Sequence, residues 1–196
     1  MKDTVGQFLI GVFLVAISLS IPFILVQPRT SYATSYSKIA GQTTVDKQKD
    51  VGNPNRLKIP SIGVDADIES VGVTPDGLMG VPVNNIDVGW FNLGPRPGER
   101  GSAVIAGHLD GTNGEEAVFS NLNKLKMGDK VYVVDENGNT VSFTVEGNQE
   151  YDVGYADEIF SRNDGTYFNL ITCDGIWDGI KKSYSKRLVV FTTIDN

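Results

Sequence analysis

The chain holds a single cysteine, Cys173, and a single histidine, His108, and Arg187 follows the cysteine by fourteen residues. A lone thiol cannot close an internal disulfide, and one cysteine with one histidine falls short of the three or four ligands zinc takes. What remains is a free thiol with a candidate base and a candidate anion partner, enough for acyl transfer. Free cysteines are also among the most buried residue types and act as small hydrophobes. From residue type and spacing alone, a catalytic pair and two structural residues therefore both stand.

The flanks say what must position these groups. Asn169-Leu170-Ile171-Thr172-Cys173 reads as a strand, broken by Asp174-Gly175, so the thiol is expected at a strand end beside a loop. Ser102-Ala103-Val104-Ile105-Ala106-Gly107 is a second small apolar strand, which stops at His108. Two strand ends would each deliver one reactive side chain.

Further strands are predicted at Arg56–Ile59, Val64–Val73, Lys130–Val134, Val141–Val145 and Arg187–Thr193. Asp135-Glu136-Asn137-Gly138-Asn139 closes a hairpin with Asn-Gly at its tip, and Thr74-Pro75-Asp76-Gly77 is a turn. Helix is expected only at Ala117–Leu125, where Val118, Leu122 and Leu125 fall at helical spacing, and as a turn within Asn84–Trp90. The fold class is mainly β, a closed or nearly closed barrel of seven to eight strands with short helices.

From Phe8 to Val26 the chain carries no charge over nineteen residues, enough at about 1.5 Å each to cross a hydrocarbon core of roughly 30 Å. The competing reading is a cleaved signal peptide, with Ser31-Tyr32-Ala33 as cleavage site; the apolar run exceeds the usual signal core. The organisation expected is a short tail (1–7), a transmembrane signal anchor (8–26), a flexible linker (27–55) poor in large apolar residues, and one catalytic-size domain (56–196). With 17 Lys and Arg against 24 Asp and Glu, a net charge of −7 argues against a nucleic-acid binder. Lys181, Lys182, Lys186 and Arg187 nevertheless cluster after the cysteine, either as a solvated face or as an attractor for an anionic substrate.

Ala106-Gly107-His108, Leu170-Ile171-Thr172-Cys173 and Arg187 in that order resemble the sortases, membrane-anchored cysteine transpeptidases of Gram-positive bacteria. Arg56-Leu57-Lys58-Ile59-Pro60-Ser61-Ile62-Gly63-Val64, Gly89-Trp90-Phe91 and Gly94-Pro95-Arg96-Pro97-Gly98 look most like class F, ahead of classes D and E. The resemblance implies that Cys173 attacks the carbonyl after threonine in a Leu-Pro-X-Thr-Gly-like sorting signal. It implies that His108 moves protons, that Arg187 steadies the oxyanion, and that an amine of a cell-wall precursor accepts the acyl group. Thr172, Ala106, Tyr155 and Ile159 are the implied substrate-binding residues, with the Gly147–Tyr167 segment forming one groove wall and Asp174–Ser185 the other.

Placement in the cell membrane, single-pass with the domain outside, is expected from the architecture of a short tail, one span and a large polar remainder, and no cofactor or metal is expected: Asp110 with Glu115-Glu116 fits no calcium loop. A thiol near 8.5 and an imidazole near 6.5 would leave only a small reverse-protonated fraction active. Three rivals bear comparison. An L,D-transpeptidase cysteine follows a Ser-x-Gly-like turn, unlike Thr172-Cys173-Asp174, and papain-like hydrolases place cysteine before histidine. A tethered non-catalytic β domain that binds the wall or a partner predicts an unreactive thiol.

Overall fold

The computed structural model describes residues 51–154 and 157–195; the tail, the apolar stretch, the linker up to residue 50, and Tyr155 lie outside them. Eight strands close a barrel in the spatial order β1-β2-β3-β4-β7-β8-β6-β5. They are β1 (Pro54–Ile59), β2 (Val64–Val71), β3 (Val88–Phe91), β4 (Gly101–Gly107), β5 (Lys130–Asp135), β6 (Thr140–Asp152), β7 (Thr166–Asp178) and β8 (Ser183–Ile194). One short helix, α1 (Asp157–Ser161), lies between β6 and β7. Two pairings are parallel, β2 with β3 and β4 with β7; the rest are antiparallel.

Period-two alternation decides which side chains fill the barrel. Leu57 and Ile59, Ala103 and Ile105, Val131 and Val133, Phe143 and Val145, Phe168 and Leu170, Leu188 and Val190 all point inward into one buried cluster. Their neighbours of opposite parity must face out. On the wall made by β4, β7 and β8, Val104 and Val189 belong to a second cluster on the outer face, packed with Ile159 of α1, Met79, Phe91, Phe160 and Ile171. The outer face is therefore itself partly covered, by α1 and by the β2–β3 crossover.

Several expectations are corrected. Ala117–Leu125 is not a helix but a run of turns ending in a single 3-10 turn at Leu122–Lys124. Its backbone donors are drawn elsewhere, Ala117 N–H to the Ser120 hydroxyl oxygen and Phe119 N–H to the His108 carbonyl. Nor does Asn84–Trp90 hold a helical turn: the Asn84 side-chain oxygen accepts from the Ile86 and Asp87 amides, and the chain then enters β3. β6 continues to Asp152, so the long loop expected from Gly147 begins only after that residue. Asp174-Gly175 does not end the cysteine strand. Gly175 takes φ 82° in a bulge, where the register shifts between Asp174 and Trp177, and β7 runs on to Asp178.

At the other end of the domain, β1 takes in Pro54 and Asn55, and Val51 is already buried. Gly52 N–H donates to the buried carboxylate of Asp135, which also accepts from the amides of Asn137 and Asn139 and from the Asn139 side chain. Burial alone would raise that carboxyl; the hydrogen bonds outweigh it and hold the group below the usual range.

Candidate active site

The two reactive strands lie side by side. β4 and β7 run parallel with Ala106 opposite Ile171; His108 follows the end of β4 two residues beyond that pair, and Cys173 lies two residues beyond it within β7. The Thr172 hydroxyl fixes that alignment by donating to the Gly107 carbonyl at 2.8 Å. On the other side, Cys173 faces Arg187 directly in the antiparallel register of β7 and β8. Parity completes the placement: Ala106, Ile171, Cys173 and Arg187 all open onto the outer face.

Gly107 is required here by close approach. A β-carbon on it would lie 2.5 Å from the ring of Phe119, which is fully buried directly beneath the start of the histidine loop. Phe119 N–H donates to the His108 carbonyl at 2.9 Å, so the same residue supports the loop from below and along its backbone. The His108 Nε2 lies 2.9 Å from the carbonyl oxygen of Pro82. A carbonyl can only accept, so Nε2 carries a proton and Nδ1 is the nitrogen open to exchange.

Arg187 is held by its own hairpin. One terminal guanidinium nitrogen donates to the carbonyls of Lys186 (2.7 Å) and Tyr184 (3.2 Å), and the other to the Ser183 hydroxyl at 3.4 Å. Of its five N–H donors, Nε–H and one terminal hydrogen have no protein partner among the described residues. Lys186 is paired with Asp152 at 2.5 Å and Lys181 with Asp178 at 3.9 Å; the charge of that cluster that lowers the thiol is Arg187. Burial pushes the half-buried Cys173 thiol up; Arg187 pulls it back in part, and the carboxylate of Asp110 adds to the rise.

Cys173 and Arg187 sit in a largely apolar groove of about 540 Å³. Leu78, Met79 and Val81 of the β2–β3 crossover line one side, Ile159 and Phe160 of α1 another, with Ala106 and Ile171 also contributing. Of the expected substrate-binding residues, Ala106 and Ile159 thus line the groove. Thr172 does not: it is buried on the interior face with its hydroxyl committed to Gly107. Tyr155 lies outside the described residues.

The expected second wall is also different. Asp174–Ser185 is mostly an extension of the β7–β8 hairpin, and the crossover at 73–81 takes its place as lining. The sequence did carry a signal for this, because Leu78, Val81, Val83 and Ile86 are apolar residues in a segment too rich in turns to bury them. Asp110 and Tyr184 are further neighbours of the thiol that sequence reading missed; their side chains are hydrogen bonded to each other. Among the described residues, no three acidic, histidine or cysteine side chains converge as a metal site would need.

Comparison with known proteins agrees with this fold. The family model described as "Sortase domain" matches residues 57–195. Sortase C2 of Group B Streptococcus Pilus Island 1 is similar in structure at 25% identity and TM-score 0.56, over 72% of this chain and 73% of that one. A Clostridium perfringens sortase D5 transpeptidase, at 22% identity and TM-score 0.55, aligns over 74% of this chain and 79% of its own. Listeria monocytogenes sortase A, at 22% identity and TM-score 0.56, aligns over 72% and 86%. No curated protein sequence matches. With its eight-stranded closed barrel and a family match over most of its length, the chain belongs to the sortase family and has the fold of its transpeptidases.

Proposed function

We propose that this protein is a membrane-anchored cysteine transpeptidase that cleaves a Leu-Pro-X-Thr-Gly-like sorting signal and joins the cleaved protein to an amine of a cell-wall precursor. One observation carries the reading: Cys173 faces Arg187 in register at an apolar groove, on the strand next to the one that leads into His108. An apolar groove suits the leucine and proline of such a signal, with Leu78, Met79 and Val81 against Ile159 and Phe160.

The steps assigned to these residues balance as acyl transfer. The Cys173 sulfur, as thiolate, forms a bond to the carbonyl carbon after threonine, and the oxyanion lies against the two donors of Arg187 that the hairpin leaves unpaired. The carbon–nitrogen bond to glycine then breaks, and the departing amine takes a proton from His108 through Nδ1. An incoming amine attacks the thioester, returns a proton to His108, and the sulfur leaves as thiolate. Burial and Asp110 oppose formation of that thiolate, and Arg187 favours it.

Membrane attachment through 8–26, an extracellular domain and assignment to class F belong to the same proposal and rest on the sequence segments quoted above. To test it, the full-length protein is incubated with a panel of sorting peptides and candidate amines, and products are read by mass. Cleavage and transfer that vanish in Cys173→Ala support the proposal; a panel left intact by the parent protein refutes it.

A further inference from the structure

The histidine loop and the hairpin that carries cysteine and arginine come from different parts of the chain, and something must fix one against the other. Inside the barrel that tie is Thr172 to Gly107. Outside it, among the described residues, the side-chain hydrogen bond between the His108–Ser120 loop and the β7–β8 hairpin is the one from the Tyr184 hydroxyl to the Asp110 carboxylate.

Both ends of this bond are anchored. Asp110 lies two residues beyond His108 and bridges to Glu116 across the loop, while the Leu109 carbonyl accepts from the Ser120 hydroxyl. Tyr184 stacks edge-on against Trp177 across the hairpin at 5.2 Å, and its carbonyl accepts from Arg187 at 3.2 Å. A single residue thus touches the guanidinium through its backbone and the histidine loop through its side chain.

We propose that Tyr184 and Asp110 form a positioning clasp that sets how the His108 loop meets the Cys173–Arg187 pair. The inference rests on the transpeptidase reading for its catalytic consequence, and on geometry alone for its mechanical one. Asp110 bears a negative charge that makes it a strong acceptor, and the bond holds the hydroxyl of Tyr184 in its protonated form, with its pKa pushed up to about 12. Neither residue needs to touch substrate. Their effect is on the approach of the imidazole to the leaving and incoming amines, where small misplacements lower turnover steeply.

The test is Tyr184→Phe in the full-length protein, which deletes the hydroxyl and keeps the ring against Trp177. Amide hydrogen exchange over residues 108–120 is expected to speed up about tenfold, as a loop released from its tie opens more often. The kcat for peptide transfer is expected to fall about tenfold with the KM for the sorting peptide unchanged, because the groove itself is untouched. Asp110→Asn keeps an acceptor oxygen and retains the slow exchange, whereas Asp110→Ala loses it. Unchanged exchange in Tyr184→Phe, or faster exchange with kcat unaltered, overturns the clasp. If the parent protein transfers no peptide, the transpeptidase reading falls, and the exchange measurement on the same variants still decides the clasp.

Discussion

At the scale of single residues, the thiol is the group under tension. Its environment opposes ionisation through burial and through Asp110, and favours it through Arg187. Replacing Asp110 by Asn removes a negative charge, which stabilises the thiolate and lowers the thiol pKa. The expected outcome is that the midpoint of Cys173 alkylation rate against pH moves down. Arg187→Lys has the opposite character: the charge stays, but the planar fork that satisfies the hairpin and still offers two donors is lost. Turnover should fall by about 10²-fold or more, as when one oxyanion donor is removed, measured as kcat with a sorting peptide.

Residue types and order pointed to Cys173, His108 and Arg187 because reactive groups are rare in this chain and each sits beside a strand signal. Asp110 and Tyr184 were not legible. Nothing in a one-dimensional string says that a tyrosine 74 positions away will donate to that carboxylate.

At the scale of elements, the site depends on parity and register more than on loops. Ile171 and Cys173 face the groove because Leu170 and Thr172 face the core, and a one-residue slip of β7 would exchange the two sets. Thr172→Val tests the pin directly: it keeps the β-branched shape and removes the donor to Gly107. The change should cost about 1 kcal/mol in denaturant unfolding and lower turnover as β4 and β7 lose alignment. Gly107→Ala forces a methyl group into the Phe119 ring, and overpacking of this kind should cost about 1–3 kcal/mol, read as a lowered thermal midpoint.

Seven of the eight strands were expected, from short apolar or β-branched runs bounded by turn residues. The eighth, β3, was misread because its four residues Val88–Phe91 are too few to show a period, and the asparagine turns before it resemble a helix start. Ala117–Leu125 misled for a related reason: apolar spacing reports burial against a curved surface, and a chain of turns clamped to the histidine loop buries Phe119, Leu122 and Leu125 equally well.

On the scale of the whole molecule, two carboxylates tie the start of β1 and the end of β8 to the β5–β6 hairpin. Asp135 draws the Gly52 amide onto the β5–β6 turn, and Asp195 gathers Lys130, Ser142 and the Thr144 hydroxyl at the end of β8. Those partners hold Asp195 down at about 2. Both groups have folded-state values below the unfolded one, so their contribution is fully present above about pH 4 and is lost as pH falls toward 2. Acid unfolding should therefore steepen below pH 4, and Asp195→Asn should flatten that limb in a series of denaturant melts. The closure of the barrel was legible from strand count, but which polar groups make these ties was not, since Asp135 reads in sequence only as a turn residue.

The central claim is that Cys173 forms a covalent thioester with a sorting signal. Intact-mass measurement of the full-length protein, quenched in acid after brief exposure to a Leu-Pro-X-Thr-Gly peptide without added amine, tests it most directly. The account predicts a mass increase equal to the peptide up to threonine, mapped to Cys173 and discharged when an amine is supplied. A protein that stays at its own mass across the peptide panel, while its thiol remains open to alkylation, would contradict it.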